Sequence, residues 1–223
     1  MRTIQIRNVE AKIKIDSFTI FNLIIENTTF LRNIVSDLSN DAESFEYLGE
    51  NKTTFTNDSY FIFNLFDVAL DSKKADSTLQ KELSSRITYE QKEKFESLKL
   101  LIYDYINSIT YDYPIPVSYN DDFPLSTLLK SISVTPEITS SSIIEEVIQN
   151  IKILSYLLKK DIFVIFNLKD FFSAEELTIF FKAMEQLEIK VLLISSHSSP
   201  RLENEKQIII DKDLCELHIP EEL

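Results

Sequence analysis

Apolar positions along the chain change their period twice. Residues 3–6 and 12–15 alternate apolar and polar, the pattern of half-buried antiparallel strands. Residues 18–25, FTIFNLII, are more continuously apolar, as expected of a strand covered on both faces. Asn27 or Thr28 is placed to cap a helix running to about Leu38, with Phe30, Leu31, Ile34, Val35 and Leu38 on its inner side. A further pair of strands is predicted at 45–48 and 60–66, joined by a polar turn around Asn51, Lys52 and Thr53.

Between about 75 and 160 the period becomes helical. Phe95, Leu98, Ile102, Tyr105 and Ile109 form one stripe, and Ile144, Val147, Ile151, Leu154 and Leu158 form another. Thr88-Tyr-Glu-Gln91 and Ser142-Ile-Ile-Glu145 have capping-box spacing, a hydroxyl three residues ahead of a side chain that can reach back to it. The two long helices are expected to pair. Between them lie a connection at 111–124 and a short helix near 125–131; Pro114, Pro116 and Pro124 make that connection a poor helix.

The last third alternates again. A buried strand at 162–166 leads to a helix opened by Ser173-Ala-Glu-Glu176, with Leu177, Phe180, Phe181, Met184 and Leu187 inward. Residues 191–194 form the next buried strand, which a right-handed crossover places parallel to the first. Residues 207–210 and 214–219 read as closing strands. The pattern predicts an α/β fold with a mixed sheet and flanking helices. Residues 1–74 and 161–223 form the sheet-bearing part, and 75–160 a helical insertion.

Composition sets bounds on function. The chain has 223 residues, 44% of them hydrophobic and 26% charged, which suffices for one sizeable core or two smaller ones. The single cysteine, Cys215, excludes an intramolecular disulfide and any cysteine-based zinc site, as suits a reducing cytosol. The start MRTIQIRN has no apolar signal core and no apolar run approaches a membrane span, so a cytoplasmic protein with no membrane partner is expected. A net charge of −13 opposes general nucleic-acid binding, which needs clustered Lys and Arg; a groove can still gather a few lysines on one wall.

Residues 161–197 run from an apolar strand through an amphipathic helix to a second apolar strand ending in Ser-Ser-His. That layout resembles the surroundings of the catalytic acid and switch histidine in ABC-type ATPases. A phosphate loop, however, needs glycines that let successive N–H groups face the phosphates, and a Lys at the helix start. The only glycine is Gly49, and the corresponding junction reads Ile24-Ile25-Glu26-Asn27-Thr28-Thr29, where Glu26 would repel phosphate. Asn167 and Leu168 stand where the acids belong, and His197 reads as a loop residue. Nucleotide hydrolysis is therefore not expected. No other catalytic set emerges: the two histidines are distant in sequence, and Cys215 reads as core filler. Ser198 and Ser199 lack a glycine elbow.

Two groups of residues remain as candidate sites. Asp112, Asp121 and Asp122 lie in the proline-broken connection, where carboxylates and carbonyls can collect a hard cation such as Ca²⁺; the alternative is a solvated acidic loop. Lys52, Lys73, Lys74 and Lys81 can form a basic strip beside Asn51 and Ser72; the alternative is ordinary solubilising lysines.

The order of these segments resembles the Csn-two family, the small adaptation protein of type II-A CRISPR loci. The resemblance is sharpest at Tyr156-Leu-Leu-Lys-Lys-Asp-Ile-Phe-Val-Ile-Phe-Asn167, followed by Phe171-Phe-Ser-Ala-Glu-Glu-Leu177. It extends to Gln207-Ile-Ile-Ile-Asp-Lys-Asp213, to Phe45-Glu-Tyr-Leu-Gly49 and to Phe61-Ile-Phe-Asn-Leu-Phe-Asp67. The resemblance implies an ABC-ATPase-like head without a working nucleotide site and an inserted helical leg. It further implies a homotetrameric ring taking double-stranded DNA ends in a basic lumen, with no enzymatic activity. The implied partners are a CRISPR integrase complex and an effector nuclease during spacer acquisition. Lys52 and the lysines at the start of the leg, Lys73, Lys74 and Lys81, become lumen candidates, and Asp121 matches the family's acidic calcium-binding loop, although Thr127 stands where another acid is expected. The competing reading is a degenerate ABC- or SMC-like nucleotide-binding domain used as a protein-interaction scaffold.

Overall fold

A computed structural model describes residues 2–6, 9–10, 12–39, 45–48, 54–65, 72–120 and 122–218. Chain contacts divide it into two units, Met1–Asp71 with Ile138–Leu223, and Ser72–Glu137. The helix at 143–158, read from the sequence as part of the insertion, falls in the first unit.

In the first unit, strands β1 (Thr3–Ile6) and β2 (Lys12–Lys14) pair antiparallel with Ile4 opposite Ile13. Strand β3 (Ile20–Ile25) follows and is buried at every position, as its unbroken apolar run requires. Asn27 then caps α1 (Thr28–Ser39): its Oδ1 accepts the Phe30 N–H at 2.9 Å. Strand β4 (Phe45–Leu48) pairs with β1, completing a small antiparallel sheet of order β2-β1-β4. A short helix, α2 (Phe55–Asp58), leads into β5 (Ser59–Ile62).

Among the described residues the expected pairing of 45–48 with 60–66 does not occur. Strand β4 shows one face to solvent and suits a sheet covered on one side, whereas β5 joins the large sheet beside the strand at 162–166. The turn at Asn51, Lys52 and Thr53 lies outside the described residues. Tyr47 and Asp58 link β4 to α2 through a 2.6 Å hydrogen bond; burial first, and the Asp58 carboxylate second, push the Tyr47 phenol well above its usual range.

The helical unit contains α3 (Ser72–Ser85), α4 (Tyr89–Thr110) and α5 (Leu125–Ser131). The box predicted at α4 is complete: the Gln91 N–H donates to Thr88 Oγ1 at 3.3 Å, and the Thr88 N–H donates to Gln91 Oε1 at 2.8 Å. Helices α3 and α5 pack together, with buried Gln80 donating to the Val134 carbonyl at 3.0 Å. The predicted stripe on α4 is only partly the buried face, since Leu98, Ile109 and Tyr105 are exposed, Tyr105 by 66%. The inward line is Phe95, Lys99 and Tyr103, one turn apart, because Tyr119 and Phe123 return along that side after the proline break. Tyr103 stacks on Tyr119 at 5.9 Å, while Phe95 and Tyr103 meet Phe123 edge-on at 6.0 and 6.2 Å.

The chain re-enters the first unit at α6 (Ile143–Leu158), followed by β6 (Ile162–Phe166), α7 (Ala174–Gln186), β7 (Lys190–Ser195), β8 (Glu205–Ile210) and β9 (Glu216–His218). Strands β3, β5, β6, β7 and β8 are parallel, β9 is antiparallel to β8, and the order is β5-β6-β7-β3-β8-β9. The adjacent, parallel β6 and β7 agree with the crossover expected from the pattern.

One face of this sheet, formed by Phe21, Leu23, Ile25, Val164, Leu192, Ile194 and Ile210, packs on the small sheet and α1. Alternation turns Phe163, Ile165, Val191 and Leu193 to the other side, where α7 touches β7 and α6 touches α7. Each large apolar side chain fully buried here contributes about 1.5–3 kcal/mol. Helix α6 therefore buries Ile144, Val147, Ile151 and Leu154 within the sheet unit, where it packs on α7; the stripes had suggested α4 as its partner.

With one glycine in the chain, helix ends are closed by other residues in left-handed backbone. Lys159 ends α6 at φ 55°. Glu188 follows α7 at φ 57°, with the Ile189 N–H returning to the Met184 carbonyl at 3.0 Å.

Candidate functional site

Ligands of open parallel sheets sit outside the carboxyl ends of the strands, so the loops there come first. After β3 the chain folds onto itself. The Glu26 N–H donates to the Ile210 carbonyl at 2.9 Å, and Asn27 Nδ2 donates to the Lys212 carbonyl at 2.8 Å. With Asn27 already serving the Phe30 N–H and Glu26 beside it, the start of α1 presents a carboxylate and a filled cap where a phosphate would need free donors.

After β6, Asn167 takes left-handed backbone at φ 52° and donates its N–H to the Ile194 carbonyl at 2.9 Å. A 3-10 turn at Leu168–Asp170 follows. Leu168 is buried, so neither residue after β6 supplies a metal-binding acid. Asp170 does reach the loop after β7, where its Oδ1 lies 3.1 Å from His197 Nε2, and Ser196 Oγ lies 3.1 Å from His197 Nδ1. The imidazole itself is largely exposed, so His197 is a loop residue with an acidic neighbour.

Lys169 turns inward. Its Nζ donates to Glu205 at 2.9 and 3.0 Å and to the Pro200 carbonyl at 2.7 Å, with the lysine side chain 4% exposed and the glutamate 0%. Glu205 also accepts the Leu202 N–H at 2.8 Å. The pair clamps the helix-free connection 196–204 between β7 and β8. The sequence offered no signal for it, because 36 positions separate the partners.

Of the candidate lysines, Lys73, Lys74 and Lys81 are exposed on α3, and Lys52 lies outside the described residues. Lys73, Ser77 and Lys81 follow at one-turn intervals along one side, away from the buried Ala75. Lys73 and Lys81 are about 12 Å apart along the axis at 1.5 Å per residue. Lys73, Lys74, Lys81 and Arg86 face only two acids in this stretch, Asp76 and Glu82, and Glu82 pairs with Arg86. A locally cationic ridge thus stands on a chain of net charge −13.

Of the candidate metal ligands, the structure describes Asp112 and Asp122. Asp112 is exposed in the turn after α4, and Asp121 lies outside the described residues. Asp122 already faces a cation, with Lys99 Nζ 3.5 Å from its Oδ1. Thr127 is exposed on α5. Among the described residues no group of three or more His, Cys, Asp or Glu is arranged to hold a metal ion. The two described carboxylates, Asp112 and Asp122, do not by themselves make up the six to eight oxygens that a calcium ion takes.

Sequence reasoning missed Lys99. Its only signal was the spacing Phe95, Lys99, Tyr103, which puts a cation in the middle of an aromatic line. Among the described residues no helix is long and apolar enough to cross a membrane. A family model described as CRISPR-associated protein (Cas_Csn2) matches residues 39–214, most of both units, and the chain belongs to that family.

Proposed function

We propose that this protein binds double-stranded DNA through its phosphates, at free ends, and takes part in spacer acquisition without catalysing a reaction. Its family places it in CRISPR adaptation, whose raw material is duplex DNA. The observation that carries the reading is the ridge of Lys73, Lys74 and Lys81 on α3, exposed in a chain that is otherwise strongly acidic. At about 3.4 Å of duplex axis per phosphate, a ridge of this length spans about three to four phosphates of one strand, and repetition in a ring of four copies would multiply the contacts. In this reading the parallel-sheet unit is an ABC-ATPase-like head kept as scaffold, and residues 72–137 are the leg. A CRISPR integrase complex and an effector nuclease are the partners to which the DNA is passed.

Gel shift with linear duplex at low salt tests the proposal. The purified protein should bind any sequence, and affinity should fall by about a thousandfold between 50 and 200 mM salt if at least six phosphates are neutralised. Reversing Lys73, Lys74 and Lys81 to Glu should weaken binding at least about tenfold and flatten the salt slope by about one for each lysine that touches phosphate. No shift with linear duplex would refute DNA binding. Equal binding to sealed circles would remove the preference for ends.

A nucleotide-binding scaffold is the second reading, favoured by the parallel strands and by the His197–Asp170 pair at their carboxyl ends. Calorimetry with ATP and magnesium separates the two, because micromolar binding would favour the scaffold.

A further inference from the structure

We infer that Lys99 supplies the cation of the acidic corner in the helical unit, so that the segment returning along α4 is secured by the chain's own ammonium group in place of a divalent metal. Lysine is seldom buried without a partner, yet the Lys99 side chain is only 11% exposed. Its Nζ lies 3.1 Å from Glu96 Oε2 on the same helix and 3.5 Å from Asp122 Oδ1 on the returning segment. The rings of Phe95 and Phe123 stand 5.4 and 6.0 Å from the same nitrogen, close enough for cation–π attraction.

Four groups from two segments therefore converge on one positive charge. A calcium ion would need carboxylate oxygens at about 2.3–2.6 Å. Drawing on Glu96 and Asp122, it would meet an ammonium already in contact with both. The neighbouring contacts serve the same end: Tyr119 stacks on Tyr103 and donates its hydroxyl to Asn107 Oδ1 at 2.7 Å. Lys99 thus does for this corner what a bound cation does elsewhere, with no dependence on metal supply. The inference is independent of the DNA reading, and either can fail alone.

Hydrogen exchange at residues 119–123 and the thermal midpoint of the full chain, each measured in chelator and in millimolar calcium, provide the test. The wild-type midpoint should agree within about 1 °C between the two buffers, with exchange at 119–123 unchanged. Lys99→Met keeps the apolar stem and removes the charge. It should accelerate exchange at 119–123 at least about tenfold in both buffers, with a midpoint lower by about 2–4 °C. Saturable slowing of wild-type exchange at 119–123 by calcium would overturn the inference, as would unchanged exchange in the variant. If Lys99→Met does not fold, the exposed Asp122→Asn gives the same reading. Equal acceleration in both buffers supports Lys99 as the cation, and acceleration confined to calcium refutes it.

Discussion

Lys169 and Glu205 show what a single buried charge demands. Removing two ions from water costs several kcal/mol each, and here the cost is offset by a two-oxygen contact together with the Pro200 carbonyl and the Leu202 N–H. Deleting one partner leaves the other charge buried alone. Lys169→Met is accordingly expected to destabilise the protein by about 3–5 kcal/mol in urea unfolding, and a double replacement of both residues by apolar ones should recover most of the loss. A cost below about 1 kcal/mol for the single change would show the pair to be far better solvated than its geometry implies. Arg2 makes a different use of charge. It reaches Asp16 at 2.8 Å and Asp161 at 2.7 Å, joining the chain start to the loop before β6. Its pKa rises through the bond to Asp161 above all. Burial opposes ionisation of Asp16, but the hydrogen bonds from Arg2 outweigh it and the net shift is downward.

At the level of elements, the capping boxes carry a dependence on pH. In α7 the Ser173 N–H donates to Glu176 at 2.8 Å, and this bond, with the serine hydroxyl, lowers the Glu176 pKa below 4.5. In α6 the box is redistributed. Ser142 Oγ accepts the Glu145 N–H at 3.4 Å, whereas the Glu145 carboxylate turns to the Ser141 hydroxyl and N–H, the first of which does most to lower its pKa. A carboxylate with a depressed folded pKa stabilises the fold above its unfolded value and loses that contribution as pH falls through the folded value. Glu176→Gln can keep the hydrogen bond while removing the charge. The variant should therefore melt lower than wild type at pH 7, with the gap closing progressively below about pH 4.5. A gap independent of pH would assign the effect to packing. These helix starts were legible in the sequence because a cap is a local device, set by residues three apart.

For the whole molecule, the exposed apolar residues on α4 bear on assembly. Leu98, Leu100, Leu101, Tyr105 and Ile109 are all exposed on one helix, more than scattered surface residues account for. If α4 contributes to a ring, light scattering after size exclusion should give four chain masses, and Leu101→Lys with Tyr105→Lys should release smaller species without altering helix content. A monomer at all concentrations would leave the DNA reading with a single lysine ridge per particle. Binding would then be too weak to survive physiological salt.

By itself, the sequence determined the α/β class, the buried parallel strands, the capped helices and the lack of a phosphate loop. Each follows from short-range period, cap spacing or the presence of a single glycine. Tertiary structure decided where the half-buried pieces went. Strand β4 joined β1 while β5 joined β6, and α6 packed on α7, because an amphipathic face specifies that it must be covered but not by what. It also decided which face of α4 is internal, since Tyr119 and Phe123 return along the line of Phe95, Lys99 and Tyr103 and leave the more apolar side exposed. The ion pairs Lys169–Glu205 and Lys99–Asp122 were decided there as well. Charges distant in sequence carry no periodicity, and only the folded chain brings them into contact.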